Sequence, residues 1–382
     1  MKAAWLLALA SFIAACGGGD DSGPRAPLTV AGFSAGGNAG TAPGAGSGAG
    51  GAAAAASANG GTPATAGPAG GASTAGGGGS DPVGPIVHPD QRTVVYLPDW
   101  RGALVTWTPK LDFSRITYLN LCFAAVDMSG NVSYADQGLD AFVTGAHARG
   151  GKVCMAIGGG SVIDDGGVYA TVLQDASRDA FVGKLAQYAV DHQLDCIDVD
   201  LEGNGVNQYY EAFVTQLGSK LHEGNKEMTA AVSSWFGDKI SDRAIQAFDF
   251  INVMAYDLHN PGGSAQPVQS SSIPEATQEV DYWVGRGLAK SKAVFGVPFY
   301  GYKWLGAKSE AITYASILQQ NAAAATQDQL DLGGSTVFLN SRATIIEKAK
   351  LARTYGGIMA WELGQDAAGD ASLLKAIADG AM

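Results

Sequence analysis

The order of short apolar segments constrains the fold more than any other feature of this sequence. Eight such segments alternate with segments of helical apolar spacing, and strands that alternate with helices are joined by parallel crossovers. The predicted strands are Thr93–Leu97, Ile116–Ala125, Lys152–Ile157, Leu194–Glu202, Met228–Ser234, Phe250–Tyr256, Ala293–Pro298 and Gly357–Trp361. An open doubly wound sheet would accept this order. Eight units are the count that closes a barrel, however, and polar residues cluster where the strands end, so we predict a (β/α)8 TIM barrel with its active site at that rim.

The fourth predicted strand carries an acid at every second position. Since side chains alternate between the two faces of a strand, Asp198, Asp200 and Glu202 share one face and aliphatic residues occupy the other. Neighbouring acids raise one another's pKa and cost stability. A solvated edge strand would mix its acids with Lys, Thr or Ser, so this pattern indicates catalysis or metal binding.

Metal binding is the less favoured of these two uses. Mg²⁺ and Ca²⁺ need oxygen ligands that converge from several strands, whereas the other residues at the predicted rim are mostly aromatic. The five His residues are scattered without the spacing of zinc ligands. We therefore expect neither a metal nor another cofactor. The net charge of −12 argues against nucleic acid and anionic membrane surfaces as partners.

Residues 1–16 are typical of an export signal. Lys2 precedes the apolar run Ala3–Ile13, which is too short to span a bilayer as a stable helix. The ending Ile13-Ala14-Ala15-Cys16 resembles the bacterial lipobox, although an ordinary signal peptide could also contain a Cys. The resemblance implies that Cys16 is lipidated. With Gly17 next, it implies export to the cell envelope, at the outer membrane or the cell surface.

Composition divides the rest of the chain in two. Residues 17–88 are mostly Gly, Ala, Ser and Thr with almost no large apolar residues, so we expect a disordered linker. Residues 89–382 remain for the catalytic barrel, and their number suits a single barrel. We expect a monomer.

Four motifs together resemble glycoside hydrolase family 18, the chitinase family. The acidic strand matches the D-x-x-D-x-D-x-E signature of that family, and further matches occur on three other predicted strands. The matching segments are Asp195-Cys196-Ile197-Asp198-Val199-Asp200-Leu201-Glu202, Met254-Ala255-Tyr256-Asp257, Gly296-Val297-Pro298-Phe299-Tyr300-Gly301 and Gly357-Ile358-Met359-Ala360-Trp361. The resemblance covers about Thr93 to Ile377.

The resemblance implies a role for each acid. Glu202 would be the general acid that protonates the glycosidic oxygen. Asp200 lies two residues back on the same strand and is poorly placed to attack across the bond. In this family the 2-acetamido oxygen of the sugar attacks instead. Asp200 would then orient the acetamido N–H, and Asp198 would share a proton with Asp200.

The resemblance also implies residues that bind the sugar. Tyr256 and Asp257 would hydrogen-bond the acetamido group, and Trp361 would form the floor under the sugar at the cleavage point. Tyr96 matches a Tyr that supports the deepest acid. The substrate would also contact Tyr300 and Trp100, and Trp235 and Trp304 are further candidates for lining the groove.

The chain departs from the family pattern in three places. Ala156 stands where the family has Ser, so we expect the loss of a hydroxyl to raise the pKa of Asp198. Cys196 stands where the family has Gly. Parity with Ala156 and Asp198 places Cys154 and Cys196 inward on neighbouring strands, low in the barrel. An exported chain could bridge them, but because adjacent parallel strands rarely offer disulfide geometry, we expect buried free thiols. The segment 304–340 is too short for a large inserted α+β domain, which implies a shallow, open groove.

The function implied is a chitinase-type retaining glycosidase. It would cleave β-1,4 bonds in polysaccharides or oligosaccharides of N-acetylglucosamine. An endo-β-N-acetylglucosaminidase acting on glycoprotein glycans or peptidoglycan shares the acidic motif and is the second reading. A catalytically dead sugar-binding lectin is the third, although such relatives usually lose the residue that corresponds to Glu202.

Overall fold

The computed structural model describes residues 91–259 and 266–381. Their strands are β1 Arg92–Pro98, β2 Tyr118–Val126, β3 Val132–Ser133, β4 Lys152–Gly159, β5 Cys196–Leu201, β6 Glu227–Val232, β7 Phe250–Val253, β8 Ala293–Pro298, β9 Tyr300–Leu305, β10 Lys308–Thr313, β11 Gln329–Leu332, β12 Ser335–Phe338 and β13 Gly357–Trp361. Their helices are α1 Leu104–Trp107, α2 Leu139–His147, α3 Tyr169–Val172, α4 Asp175–Asp191, α5 Tyr210–Glu223, α6 Asp242–Ala247, α7 Ile273–Gly285, α8 Tyr314–Gln320, α9 Arg342–Ala352 and α10 Leu373–Ala381. The predicted signal segment, Cys16 and the predicted linker lie outside the described residues.

Eight of these strands form the predicted closed barrel. Hydrogen bonds join them in the order β1-β2-β4-β5-β6-β7-β8-β13, and β13 pairs with β1 to complete the ring. Every pairing in the ring is parallel. The carboxyl ends of the strands therefore share one rim.

Apolar periodicity explains how the helices cover the barrel. In α2 the buried residues Leu139, Phe142, Val143 and Ala146 lie on one face, at the spacing of an amphipathic helix. Strands covered by helices outside and by side chains inside are apolar at almost every position, and all six residues of β5 except its two acids and Cys196 are aliphatic. No helix among the described residues is long and apolar enough to cross a bilayer.

The interior of the barrel is partly polar. Four polar side chains there have no solvent exposure, namely Asn120, Asp198, Thr229 and Asn252. They come from β2, β5, β6 and β7. Since buried polar groups are costly unless they are hydrogen-bonded, this layer indicates a network beneath the rim.

The prediction of free thiols at Cys154 and Cys196 is wrong, because the two residues form a disulfide. They are direct register partners on β4 and β5, and their Cα atoms are 4.5 Å apart. That separation lies within the range that disulfides span. The register of β4 and β5 therefore brings the two Cys residues close enough for a disulfide, which was expected to be rare between adjacent parallel strands. Cys122 is buried with a free thiol.

The segment between β8 and α9 builds a small insertion. Strands β9 to β12 form a separate antiparallel sheet in the order β10-β9-β12-β11, and α8 connects β10 to β11. The segment holds no large inserted domain, as predicted, but its four strands were not predicted. β9 begins two residues after the end of the barrel strand β8, so the small sheet starts at the rim formed by the carboxyl ends of the barrel strands.

Candidate active site

The register of β5 places the three acids at increasing heights inside the barrel. Asp198 lies opposite Ala156 on β4 and Thr229 on β6, and Asp200 lies opposite Gly158. Glu202 follows the last residue of the strand, at the rim. Gly158 has a φ of 102°, and a Cβ there would clash with the backbone oxygen of Asp200. Only glycine lets β4 pass this close to the acids.

Asp198 is held by three donors. The Tyr96 hydroxyl donates to its Oδ2 at 2.7 Å, and Oδ1 accepts from Thr229 Oγ1 at 2.5 Å and from Asn252 Nδ2 at 3.3 Å. Burial raises the pKa of Asp198, while the bonds from Thr229, Tyr96 and Asn252 act in the opposite direction. Ala156 has no hydroxyl to donate to Asp198, but the hydroxyls of Tyr96 on β1 and Thr229 on β6 donate to it instead.

Asp200 lies in a contrasting environment. Its side chain is 4% exposed, and its buried Oδ1 has no hydrogen-bond partner among the described residues. Burial, followed by the charges of Glu202 and Asp198, raises the pKa of Asp200 well above its usual value. An unpaired buried acceptor costs stability, so this oxygen is available for a donor that arrives with a ligand.

Glu202 is partly exposed at the rim. Burial, followed by the charge of Asp257, raises the pKa of Glu202 to about 7. A carboxyl group with such a pKa keeps its proton for part of the time near neutral pH. It therefore has the protonation behaviour of a general acid.

Asp257 is fixed from the neighbouring small sheet. Tyr300 and Tyr302 of β9 donate their hydroxyl protons to its two oxygens at 2.6 and 2.9 Å. Burial raises the pKa of Asp257 to about 6, against the effect of these two bonds. Tyr256 is 8% exposed and its ring lies 6.3 Å from that of Tyr300. The M-x-Y-D segment thus reaches the same rim as Glu202.

An aromatic strip crosses the rim on the opposite side of the barrel. The Trp361 ring lies 5.5 Å from the Tyr96 ring and 6.2 Å from Phe123, and Phe123 lies 6.4 Å from Trp100. Trp100 is 46% exposed. Flat, partly exposed rings in a row offer apolar faces to a chain of sugar rings.

The remaining aromatic candidates are distributed differently. Trp235 is 42% exposed in the turn after β6, whereas Trp304 is 1% exposed and packs inside the protein. Trp304 therefore does not line a groove, and that candidate is wrong. Tyr300 and Tyr96 are also buried, with their hydroxyls committed to Asp257 and Asp198. Their hydroxyls therefore support these two acids and do not face a groove.

A partly buried ion pair connects the two loops that carry Trp100 and Trp361. Arg101 follows Trp100 and contacts Glu362, which follows Trp361, at 2.6 Å. Glu362 is 1% exposed and also accepts from the Gly364 N–H at 2.7 Å. The pair links the ends of β1 and β13, and so sets the spacing of the strip.

Within residues 91–259 and 266–381, no group of three or more His, Cys, Asp or Glu is arranged to hold a metal ion. The acids face tyrosine, threonine and asparagine donors. These donors form hydrogen bonds to the carboxyl groups and so influence their protonation. Such an arrangement suits acid–base chemistry.

Several residues of this site were not predicted from the sequence. Thr229 and Asn252 were not singled out, although each is a polar residue at an inward position of an apolar strand. Tyr302 was missed because β9 was not recognised as a strand. Phe123 was missed because a lone Phe in an apolar segment carries no signal of exposure.

Comparison with known proteins places these features in a family. The family described as glycosyl hydrolases family 18 matches residues 92–366. A chitinase-like effector of Moniliophthora roreri is 28% identical over 58% of this chain and 61% of its own length. A class V chitinase of Arabidopsis thaliana is 24% identical over 72% of this chain and 87% of its own. The crystal structure of a family 18 chitinase from the chitin utilization locus of Flavobacterium johnsoniae matches with a TM-score of 0.68 and 32% identity, over 76% of this chain and 94% of that one.

Proposed function

Because the chain belongs to the glycosyl hydrolases of family 18, we propose that it is a retaining glycosidase of the chitinase type. It hydrolyses β-1,4 bonds between N-acetylglucosamine units, and the acetamido group of the substrate acts as the nucleophile. The similar chitinases from Arabidopsis thaliana and Flavobacterium johnsoniae support the substrate class.

The unpaired oxygen of Asp200 is the observation that carries the proposal. Oδ1 is buried without a partner among the described residues, while Asp198 below it has three donors. An acetamido N–H fits the missing donor. A sugar without that group leaves the oxygen unpaired. A buried polar site discriminates strongly against a substrate analogue that lacks the hydrogen-bonding group.

In the first step, Glu202 transfers its proton to the glycosidic oxygen while the C1–O bond breaks. The acetamido carbonyl oxygen attacks C1 from the opposite face, which gives an oxazolinium ion and releases the distal part of the chain as an alcohol. Positive charge develops on the acetamido nitrogen. Asp200 stabilises it as the proton of the acid pair moves to Asp198.

In the second step, the Glu202 carboxylate takes a proton from water and the oxygen of that water attacks C1. The C1–O bond of the oxazolinium ion breaks, and the acetamido group is restored. Two inversions at C1 cancel, so the product retains the β configuration. Trp361 supports the sugar from below, and Tyr256 and Asp257 hold the acetamido group during both steps.

Hydrolysis assays with matched substrates test this function. Chitin oligosaccharides are compared with a high-mannose glycopeptide, with peptidoglycan fragments and with cellulose oligomers, and NMR follows the anomer of the fresh product. We expect turnover of the chitin oligosaccharides with β product, inert cellulose oligomers, and a loss of roughly 10²–10⁴-fold in Glu202→Gln.

The other outcomes identify the alternatives. Preferential cleavage of the glycopeptide or the peptidoglycan would replace the chitinase reading by an endo-β-N-acetylglucosaminidase. Binding of chitin oligosaccharides without turnover would indicate a sugar-binding protein that does not catalyse hydrolysis. An initial α product would refute the acetamido as nucleophile.

A further inference from the structure

Lys348 is a buried cation that the proposed mechanism does not use. It lies on α9 with no solvent exposure. Three acceptors surround its Nζ, namely the Ser271 carbonyl oxygen at 2.7 Å, Ser271 Oγ at 2.6 Å and Asn340 Oδ1 at 2.6 Å. Lysine is almost never buried without such partners, so its placement here needs a reason.

The contacts of Lys348 lead to the rim of the barrel through Ser271. The Ser271 hydroxyl donates to the Ala255 carbonyl oxygen at 2.7 Å. Its neighbour Ser270 accepts from the Leu258 N–H at 3.0 Å. Ala255 and Leu258 flank Tyr256 and Asp257. The segment 270–271, which Lys348 contacts, therefore hydrogen-bonds to the backbone on both sides of these two residues.

The backbone of Tyr256 and Asp257 lies beyond the barrel sheet, and the Asp257 side chain is held by Tyr300 and Tyr302. β7 ends at Val253, although the sequence predicted a strand up to Tyr256, so the sheet does not extend to Tyr256 and Asp257. Asp257 has a φ of 58°, which is uncommon for a residue other than glycine. Its conformation therefore depends on contacts with neighbouring segments.

We propose that Lys348 is a positioning residue for Tyr256 and Asp257, acting through Ser271 on the Ala255 carbonyl. The inference rests on the proposed function, because its effect is on the residues that hold the acetamido group. It assigns a role in turnover to a side chain that lies outside the cleft.

The protonation state of Lys348 follows from the donors and acceptors around it. The carbonyl of Ser271 and the Oδ1 of Asn340 only accept, and the hydroxyl proton of Ser271 is used on Ala255. Three acceptors at bonding distance need the three protons of an ammonium group. A neutral amine would direct a lone pair at one of them. The one group able to respond is the Ser271 hydroxyl, which would turn to Nζ and release Ala255.

The surroundings of Lys348 shift the loss of its proton to near neutral pH. Burial lowers the pKa of Lys348 to about 7, and the negative charge of Asp328 acts in the opposite direction. Its other contacts, Ser271, Asn340 and the Phe295 ring at 6.0 Å, are neutral. Loss of the Lys348 proton should therefore lower turnover on the alkaline side, in addition to loss of the proton of Glu202.

The test measures turnover of the N-acetylglucosamine pentamer against pH with the full-length protein. The variants are Lys348→Met and Ser271→Ala, with Ser271→Thr as the conservative replacement that keeps the hydroxyl. Ser341→Ala is the matched control, because it removes the N-cap of the same helix without touching Nζ. Affinity for the pentamer is measured in parallel in the Glu202→Gln background.

We expect Lys348→Met and Ser271→Ala to lose roughly tenfold to a hundredfold in kcat, the range for small misplacements of a site. Ser271→Thr should keep most of the activity. In a plot of log kcat against pH, the alkaline limb of the wild type should show the slope of two lost protons. The same limb of Lys348→Met and Ser271→Ala should show the slope of one lost proton. Ser341→Ala should lower the melting temperature with an unchanged profile.

The inference is refuted if Ser271→Ala matches the Ser341→Ala control in kcat and in the steepness of the alkaline limb. If Lys348→Met does not fold, Ser271→Ala decides the matter. If the wild type binds but does not cleave the pentamer, the proposed function fails. Positioning is then judged by affinity, which Ser271→Ala should weaken and Ser341→Ala should not.

Discussion

Replacing Glu202 by glutamine should stabilise the protein while it abolishes turnover. Burial and the charge of Asp257 raise the pKa of Glu202 from 4.5 to about 7. The folded state thus binds this proton more tightly than the unfolded chain. The stability that the proton contributes is fully present below pH 4.5 and is lost as the pH rises through 7. A neutral amide of nearly the same shape avoids that loss.

The size of the effect follows from the pKa shift. The difference between 7 and 4.5 is 2.5 units, and each unit corresponds to about 1.4 kcal/mol, so the upper bound above neutral pH is about 3.5 kcal/mol. Glu202 is partly exposed at the rim. Screening by solvent then reduces the expected gain to roughly 2 kcal/mol. At pH 5 it should be under about 1 kcal/mol, because only part of the loss has occurred there.

Thermal and urea unfolding of wild type and Glu202→Gln at pH 5 and pH 8 provide the assay. We expect a rise in melting temperature on the order of 5 °C at pH 8 and a much smaller one at pH 5. Glu275→Gln is the control of opposite sign. Burial is the largest single influence and raises the pKa of Glu275, but the bonds from Ser272 and His259 together with the charge of His259 outweigh it, so the net pKa is lowered. That variant should lose stability at pH 8 and approach the wild type in acid.

Two results would refute this reasoning. A difference in melting temperature that is equal at pH 5 and pH 8 would mean that the Glu202 pKa is not raised in the folded protein. A destabilised Glu202→Gln at pH 8 would mean that the ionised carboxylate has a partner that stabilises it. Stabilisation together with loss of turnover is the pattern of a residue kept for function at a cost in stability.

Three further predictions follow, two from the described geometry and one from the predicted lipobox. Ala156→Ser should leave the acidic limb of the pH–rate profile nearly unchanged, since Asp198 already has three donors, and a shift of a full unit would show that those donors are insufficient. Replacing Cys154 and Cys196 by Ala should lower the free energy of unfolding by about 4 kcal/mol, the loop-closure value for their separation of 42 residues; an unchanged urea midpoint would contradict it. Cys16→Ser should abolish incorporation of labelled fatty acid and release the protein from the envelope, and unaltered labelling would exclude the lipobox.

The local patterns of the sequence are sufficient to predict the barrel and the shared face of its three acids. Strand and helix periods are properties of consecutive residues, so eight alternating units predict the parallel ring without knowledge of any contact. The period of two along β5 likewise places Asp198, Asp200 and Glu202 on one face, because register with neighbours does not alter which side chains alternate.

The neighbours of those acids were decided only by the tertiary structure. Asn252 reaches Asp198 across 54 positions of the chain. The contact of Tyr96 with Asp198 spans 102 positions, and it was expected only from the family resemblance and not from a local pattern. Such contacts depend on which strands become adjacent across the closed barrel and at what height, and no local pattern encodes either. The same holds for the Cys154–Cys196 disulfide, whose two residues meet because β4 and β5 pair in that register. Parity alone placed both sulfurs inside the barrel, whereas the register placed them at one height.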